Sequence, residues 1–384
     1  MSWKIPKASL EASLNILFEV PTRHGVESSE YVKIERHKDT IAKMSLSSDM
    51  SGNVYLSAEP GCPLKDPVYI DRRMLEPFIT AGKDLSPGFY ELKKDGGRIT
   101  LRHGYRHGNY TSNKKAHGYA KLPKIDSKAH SLSEDLIAML ECARSVAVDD
   151  PVAPHLSCVF VYIDGDKLRA LSANAHVFFQ GYITLEKGFN LKSAALPLPL
   201  IDAAKVENEV ELLYSEKVAV LKFSCGTLWH PVKSEARKKF PRKDIEKMIK
   251  AGLEGETILQ IDADPLYDSA ERASNYMASV MSEDPVLAIE VKKGDTDVKM
   301  LCKAVGADFC EKIKLSKASK GDVKIEWPLK AIIPILDYSR KAGIAKVSKD
   351  EKGRTCFSAG NIAMLIARRE KKEKKHSKKK KEKK

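Results

Sequence analysis

Phe223-Ser-Cys-Gly226 recurs in this sequence as Phe357-Ser-Ala-Gly360, and Leu101-Arg-His-Gly104 is a looser third version. The glycines that close these segments lie 122 and 134 residues apart. A helical pattern, a strand pattern and a turn precede each segment, and we predict that each glycine ends a strand. Recurrence at this spacing indicates internal repeats of domain size.

The patterns in front of these segments repeat as well. Helices are predicted over 71–81, 200–206 and 329–342. Pairs of strands are then predicted at 89–92 and 98–102, at 210–214 and 218–223, and at 345–347 and 355–358. Pro77 and Pro334 fall inside two of the helices, so we expect a kink or a shifted helix start at each.

A second helix and a strand–turn–strand unit precede each of these groups. The helices are predicted over 8–20, after the capping box Ser131-x-x-Glu134, and from Asp264-Pro265 onward. The strand–turn–strand units follow at 31–47, 157–172 and 286–304. Leu122-Pro123 and Phe240-Pro241 add a further echo, because they lie 118 residues apart in front of the second and third copies.

This order predicts an α+β fold of three repeated domains, each with two helices on antiparallel sheets and about eight short strands. The predicted domains span 1–122, 123–255 and 256–368, and a disordered polybasic tail follows at 369–384. Residues 368–384 hold 12 Lys or Arg and three Asp or Glu, which gives +9 of the net charge of +14. Such a tail is typical of contact with a polyanion, with a merely solvated tail as the alternative.

Composition excludes several other classes of protein. The 384 residues are 42% hydrophobic, which is enough for two or three domain cores. The sequence contains no apolar run of about 18 residues, so we predict no membrane span. The first residues lack a signal-peptide pattern. Seven cysteines without C-x-x-C spacing predict reduced thiols and no zinc site. His103-x-x-x-His107 lies in a predicted strand or loop, so its spacing does not converge on a metal, and we expect no metal or cofactor.

Three motifs, in this order, resemble those of the bacterial-type DNA polymerase III beta sliding clamp family. Leu168-Arg-Ala-Leu-Ser-Ala-Asn-Ala-His176 is similar to the family's L-R-x-V-A-T-D-G-H-R-L, with outright matches at Leu168, Arg169 and His176. Lys239-Phe240-Pro241 is similar to F-P-D-Y, with Arg242-Lys243 in place of Asp-Tyr. Ile362-Ala-Met-Leu-Ile366 resembles the terminal strand V-M-P-M-R-L. The resemblance covers about residues 1–368 and implies a divergent member, with a viral origin left open.

The resemblance implies a processivity factor for DNA replication and not an enzyme. Three domains would form half of a six-domain ring, so a homodimer would close around duplex DNA and slide on sequence-independent phosphate contacts. DNA polymerase and the clamp loader would bind through short hydrophobic peptides. The protein would act in the cytoplasm with the replisome, or in the host cytoplasm if it is viral.

The same resemblance predicts two groups of site residues. Basic residues on the helices and their edges, with two loop residues, would contact DNA: Lys7, Arg23, Arg72, Arg73, Arg144, His155, Lys205, Arg272, Lys330, Arg340 and Lys341. The partner-peptide pocket, between the second and third domains, would be lined by Leu156, Ala173, Ala175, His176, Val177, Phe178, Pro241, Ile245, Ile362, Met364 and Ile366.

Two other classes of protein remain open from the sequence. One is a non-clamp basic DNA-binding protein of recombination or packaging, which would not form a ring. The other is a nuclease or another enzyme. The P-loop, G-x-S-x-G and H-E-x-x-H motifs are absent, but nuclease residues scatter along a sequence. A nuclease and ATPase assay separates the enzyme class from the other two.

Overall fold

A computed structural model describes residues 2–22, 27–60, 64–81, 88–112, 118–150, 153, 155–185, 189, 191–278, 285–304 and 307–366. Within these residues one order of elements occurs three times: a strand, a helix, four strands, a second helix and three strands. Eight strands per copy agree with the sequence-based prediction. Among the described residues, three further helices lie between these repeated elements: α2 (Glu27–Glu30), α6 (Ser234–Lys239) and α7 (Arg242–Leu253).

The first copy comprises β1 (Ser2–Pro6), α1 (Lys7–Leu17), α2 (Glu27–Glu30), β2 (Tyr31–Lys38), β3 (Ile41–Ser47), β4 (Ser51–Ser57), β5 (Val68–Asp71), α3 (Arg72–Thr80), β6 (Phe89–Asp95), β7 (Arg98–His103) and β8 (Arg106–Thr111). The second comprises β9 (His130–Leu132), α4 (Glu134–Val146), β10 (Cys158–Asp164), β11 (Lys167–Ala173), β12 (Val177–Thr184), β13 (Ser193–Pro197), α5 (Leu198–Ala204), β14 (Val210–Tyr214), β15 (Val218–Phe223) and β16 (Gly226–Pro231). After α6 (Ser234–Lys239) and α7 (Arg242–Leu253), the third comprises β17 (Glu256–Asp262), α8 (Ala263–Ala278), β18 (Val286–Val291), β19 (Asp297–Ala304), β20 (Ala307–Lys314), β21 (Val323–Pro328), α9 (Leu329–Arg340), β22 (Ile344–Lys349), β23 (Thr355–Ala359) and β24 (Ile362–Ile366).

The chain divides into two compact units. The first holds residues 1–172 and 181–241, and the second holds 173–180 and the chain from 242 onward. In the first unit an eight-stranded sheet has the order β5-β2-β3-β4-β16-β15-β14-β9, and a four-stranded sheet has the order β1-β6-β7-β8. The first unit also contains β13, β10 and β11, in that order.

In the second unit, β24, β23, β22 and β17 follow one another, and β12 is the neighbour of β24. A separate four-stranded sheet has the order β20-β19-β18-β21. The strands pair antiparallel, as predicted; for example, β18 pairs with β21 from Val286 opposite Pro328 to Val291 opposite Val323. The proposed division into three domains follows the repeat of elements, and its boundaries stay a prediction.

The spacing of apolar residues along the sequence explains which side chains are buried in the core. In α4 the buried side chains include Leu136, Ile137, Leu140 and Ala143, which recur at helical spacing as predicted. In β21 the residues alternate between buried and exposed along the whole strand, as expected for a sheet with one face on a core. Among the described residues, no helix is long and apolar enough to cross a membrane.

The predicted helix starts need correction. Ser131 lies in β9, and α4 begins after Ser133, whose side chain makes no capping hydrogen bond, so the predicted capping box is wrong. The strand β9 pairs with β14 and takes up Ser131, which the capping box would use. The helix α8 begins at Ala263, ahead of the predicted Asp264 cap. The helices α3 and α9 keep their starts and contain Pro77 and Pro334 in their interiors, so the shifted-start alternative is wrong.

The glycines of the repeated segments are not equivalent. Gly104 and Gly360 lie in turns with φ of +59° and +55°, which glycine adopts without strain. Gly226 instead begins β16. A Cβ at Gly226 would lie 2.6 Å from Val54 Cγ1, because β16 packs edge to edge with β4. The prediction that all three glycines end a strand is therefore wrong at Gly226.

Candidate functional site

In each copy of the repeat, an arginine predicted to contact DNA also connects the two helices. The Arg144 guanidinium bonds both carboxylate oxygens of Asp202, so it joins α4 to α5. Arg340 Nε lies 2.8 Å from Asp264 Oδ1 and joins α9 to α8. In the first copy, Arg72 of α3 donates to the backbone carbonyls of Phe18 and Val20, just beyond the end of α1. These three arginines are therefore part of how each helix pair is held together.

Burial separates two of the predicted DNA contacts from the rest. Arg72 is only 8% exposed, its Nε lies 3.3 Å from Glu76 Oε2, and its guanidinium stacks on the Phe18 ring. Lys7 is also 8% exposed, and its Nζ lies 3.9 Å from Glu11 Oε1. Both cations already have partners within the chain, so contact with DNA would have to replace these partners, and the DNA contact of Arg72 and Lys7 stays a prediction.

Replacing either of the neighbouring arginines Arg72 and Arg73 removes one positive charge, but we expect only the Arg72 replacement to lower the stability of the fold. Replacing Arg72 by methionine leaves the carbonyls of Phe18 and Val20 without their donor, so we expect the free energy of unfolding to fall by about 2–4 kcal/mol. Arg73→Met is the control, because Arg73 is exposed and bonds the neighbouring Asp71. Urea denaturation measures both variants. Equal stabilities would contradict the structural role of Arg72.

The remaining predicted DNA contacts are mostly exposed, but carboxylates lie beside them. Arg73 Nη2 lies 2.8 Å from Asp71 Oδ2, and this hydrogen bond holds the pKa of Asp71 below its usual value. Arg272 Nη2 lies 2.7 Å from Glu311 Oε1 and likewise lowers the pKa of Glu311. Lys205 Nζ lies 3.7 Å from Glu141. These charges are already partly neutralised within the chain.

The other four residues predicted to contact DNA are Lys341, His155, Arg23 and Lys330. Lys341 is exposed and its Nζ lies 5.4 Å from the Tyr338 ring centroid. His155 is half-buried in a turn before β10. Arg23 lies outside the described residues, as does the side chain of Lys330 in α9. The six repeated helices together contain ten Asp or Glu and seven Lys or Arg, so carboxylates outnumber basic side chains on them.

The structure places most predicted pocket residues in the second unit, and Leu156 and Pro241 in the first. Their exposure divides them further. Buried side chains are those of Ala173, Ile245, Ile362 and Met364, which pack in the core. Exposed or half-exposed side chains are those of Ala175, His176, Val177, Phe178 and Ile366, with Leu156 and Pro241 in the first unit. Only the second group is available to a peptide without rearrangement.

The Asn174 side chain holds the turn before β12. Asn174 Oδ1 accepts hydrogen bonds from the backbone N–H groups of His176 and Val177, each at 2.8 Å. Asn174 N donates to Val177 O at 2.9 Å and closes the turn. An asparagine side chain that bonds the backbone two residues on is typical of such turns. The turn leaves His176 exposed in front of β12.

The sequence patterns did not predict that β8 and β20 end their sheets, or that α7 is a basic helix. The strand β8 is the last strand of one four-stranded sheet, and β20 is the last strand of another. Each edge carries an aromatic pair: Phe78 with Tyr110 at 6.5 Å between ring centroids, and Tyr276 with Phe309 at 6.3 Å. Edges of this kind depend on long-range strand order, so no local sequence signal reveals them.

Of the two histidines in His103-x-x-x-His107, only His103 is part of the core. His103 is buried, its Nδ1 lies 3.1 Å from Phe89 O, and its ring stacks on Tyr90. His107 lies on β8 and is exposed. Within the part of the chain that the structure describes, no group of three or more His, Cys, Asp or Glu side chains is arranged to hold a metal ion.

Comparisons with known proteins identify the fold. No family model matches the chain, and no curated protein sequence matches it. Among solved structures, it is similar to the DNA polymerase sliding clamp from Caulobacter crescentus, with a TM-score of 0.68, 15% identity, and coverage of 96% of this chain and 99% of that one. The beta subunits of DNA polymerase III from Pseudomonas aeruginosa and Thermotoga maritima give TM-scores of 0.69 and 0.70 at 12% and 14% identity. They cover 96% and 95% of this chain, and 99% and 98% of their own. The chain therefore has the fold of the bacterial beta sliding clamps.

Proposed function

We propose that this protein is a DNA sliding clamp that tethers a replicative polymerase to duplex DNA. Two copies would close head to tail into a ring of six repeats, act in the cytoplasm with the replisome, and bind polymerase and clamp loader through the exposed residues of the predicted pocket. The role would be topological and not catalytic. The single observation that carries the proposal is the pairing of the sheets.

Strand β16, the last of the second copy, pairs with β4, the third strand of the four between the helices of the first copy. In the second unit, β24, the last strand of the third copy, is the neighbour of β12, the corresponding third strand of the second copy. Strands β8 and β20 hold these same two positions in the first and third copies, and both are left at sheet edges. A second copy would satisfy both edges by the same rule, which closes the assembly at two identical junctions.

The side chains of the two edge strands are compatible with this pairing. The strands β7 and β8 carry Arg98, Arg102 and Arg106 and no carboxylate, whereas on β20 Asp308 and Glu311 are balanced by Lys312 and Lys314. Strand β20 therefore has no net charge that would repel the basic edge. Tyr110 is buried, but Phe78 beside β8 is half-buried and Tyr276 beside β20 is 45% exposed, so both leave apolar surface of the kind that anchors subunit contacts.

The decisive experiment asks whether DNA is held topologically. Protein dissociated by dilution is reassembled in the presence of circular duplex DNA, and gel filtration follows in about 0.5 M salt, where phosphate contacts are screened. We expect protein to stay with the circles and to leave when a restriction enzyme linearises them. Equal release from circular and linear DNA would favour the non-clamp DNA-binding alternative, and cut DNA would favour a nuclease.

A charge placed on β8 should test this junction. If β8 pairs with β20 as β16 pairs with β4, His107 lies opposite Phe309 of the second copy, on the same face of the joined sheet. The variant His107→Asp places a carboxylate against that aromatic ring, so we expect the dissociation constant of the dimer to rise about tenfold. The variant His107→Tyr is the matched control and should not weaken the dimer. Analytical ultracentrifugation measures both, with the chain mass of 42.7 kDa as the monomer reference. Identical dissociation constants would remove this junction from the proposal.

A further inference from the structure

The helix α7 differs from the six repeated helices in its position along the chain and in its charge. It lies between the second and third copies, and the described residues between the first and second copies contain no such helix. It has four Lys or Arg and two Asp or Glu, whereas the six repeated helices together have an excess of carboxylates. The strongest unbalanced positive charge on a described helix of the second unit is therefore here.

One side of α7 is fixed against the sheet of the second unit. Its buried residues are Ile245, Ile249 and Gly252, and it packs on β22, β23 and β24. A Cβ at Gly252 would lie 2.7 Å from Leu365 Cδ1, and Ser348 Oγ donates to Gly252 O at 2.6 Å. This close approach determines which side of the helix meets solvent.

The opposite side presents a row of lysines. Lys243, Lys247 and Lys250 are all exposed and lie at i, i+4 and i+7, so they follow one face over about 10 Å. Among the described residues no carboxylate forms an ion pair with Lys243 or Lys247. Lys250 lies 3.7 Å from Glu254, and both side chains are largely exposed, so water and salt weaken that pair. We call Lys243, Lys247 and Lys250 the α7 lysine row.

We infer that the α7 lysine row binds the phosphate backbone of duplex DNA, as a contact surface outside the six repeated helices. Lysine is a flexible point charge that binds phosphate without reading sequence, which suits a protein that must move along DNA. Lysine is depleted in the cores of protein–protein interfaces, so a row of three lysines fits a polyanion better than a protein partner. The choice of DNA rests on the proposed function.

The test uses the full chain and a short linear duplex, with affinity measured by fluorescence anisotropy across a salt series. Each neutralised phosphate contributes about 0.9 to the slope of log affinity against log salt. The variant Lys243→Gln/Lys247→Gln/Lys250→Gln should therefore flatten the slope by about two to three units. The charge-preserving variant Lys243→Arg/Lys247→Arg/Lys250→Arg should keep the slope.

A second triple variant controls for net charge. Lys292, Lys293 and Lys317 are exposed lysines of the same unit, outside α7, and their replacement by glutamine removes the same charge. If this control flattens the slope as much as the α7 variant, or if the α7 variant leaves the slope unchanged, the inference is overturned. An unchanged slope with intact retention on circular DNA would reject the α7 lysine row alone. A flattened slope with no retention would keep the row as a DNA contact and reject the clamp.

Discussion

Deletion of residues 370–384 should weaken binding to open duplex DNA and flatten its salt dependence by about six units, if each net charge removed meets one phosphate. The deleted segment contains ten lysines and three glutamates. It lies outside the described residues, so the prediction rests on its charge and on the absence of apolar residues that could anchor it. Binding of partner peptides and the mass of the dimer should not change.

The control for this deletion is a full-length chain in which the same ten lysines are replaced by glutamine. If charge is the cause, both proteins should show the same flattened slope. An unaltered salt slope after deletion would mean that the tail does not contact DNA, and a solubilising or nuclear-import role would then be preferred.

The variant Phe178→Ala/Ile366→Ala should weaken binding of short hydrophobic peptides by at least about tenfold, because two apolar contacts of more than 1 kcal/mol each are lost. Both side chains are half-exposed, on β12 and β24. Met364 is a poorer choice than the resemblance indicated, since it is 2% exposed and its truncation should itself cost about 2–5 kcal/mol of stability.

A matched control removes similar apolar groups elsewhere in the second unit. Val286 and Ile344 are 44% and 46% exposed at the starts of β18 and β22, so Val286→Ala/Ile344→Ala should leave peptide affinity intact. A panel of labelled peptides with leucine and phenylalanine anchors supplies the probe, with thermal melting as the check on folding. Equal affinities for the pocket and control variants would show that Phe178 and Ile366 do not line the peptide site.

The sequence determined the elements and their threefold order, because hydrophobic periodicity and turn residues act over only a few positions. The strands β14 and β15 were predicted with their observed bounds, and α3 within one residue at each end. Errors arose where a distant partner intervened. Ser131 became part of β9 because β14 offered it a pairing partner, and Gly226 proved to be a packing glycine because of β4, far away in sequence.

The role of the basic residues in the candidate site likewise depends on partners that are distant in sequence. The sequence identified Arg72, Arg144 and Arg340 as exposed cations on helices, but a charge near in space and distant in sequence decides what such a cation does. The tertiary structure brought Asp202 to Arg144, Asp264 to Arg340 and two backbone carbonyls to Arg72. It also placed β8 and β20 at the ends of their sheets and turned the α7 lysine row toward solvent. Local patterns thus determined the repeat, whereas charge pairing and sheet edges were decided only by long-range packing.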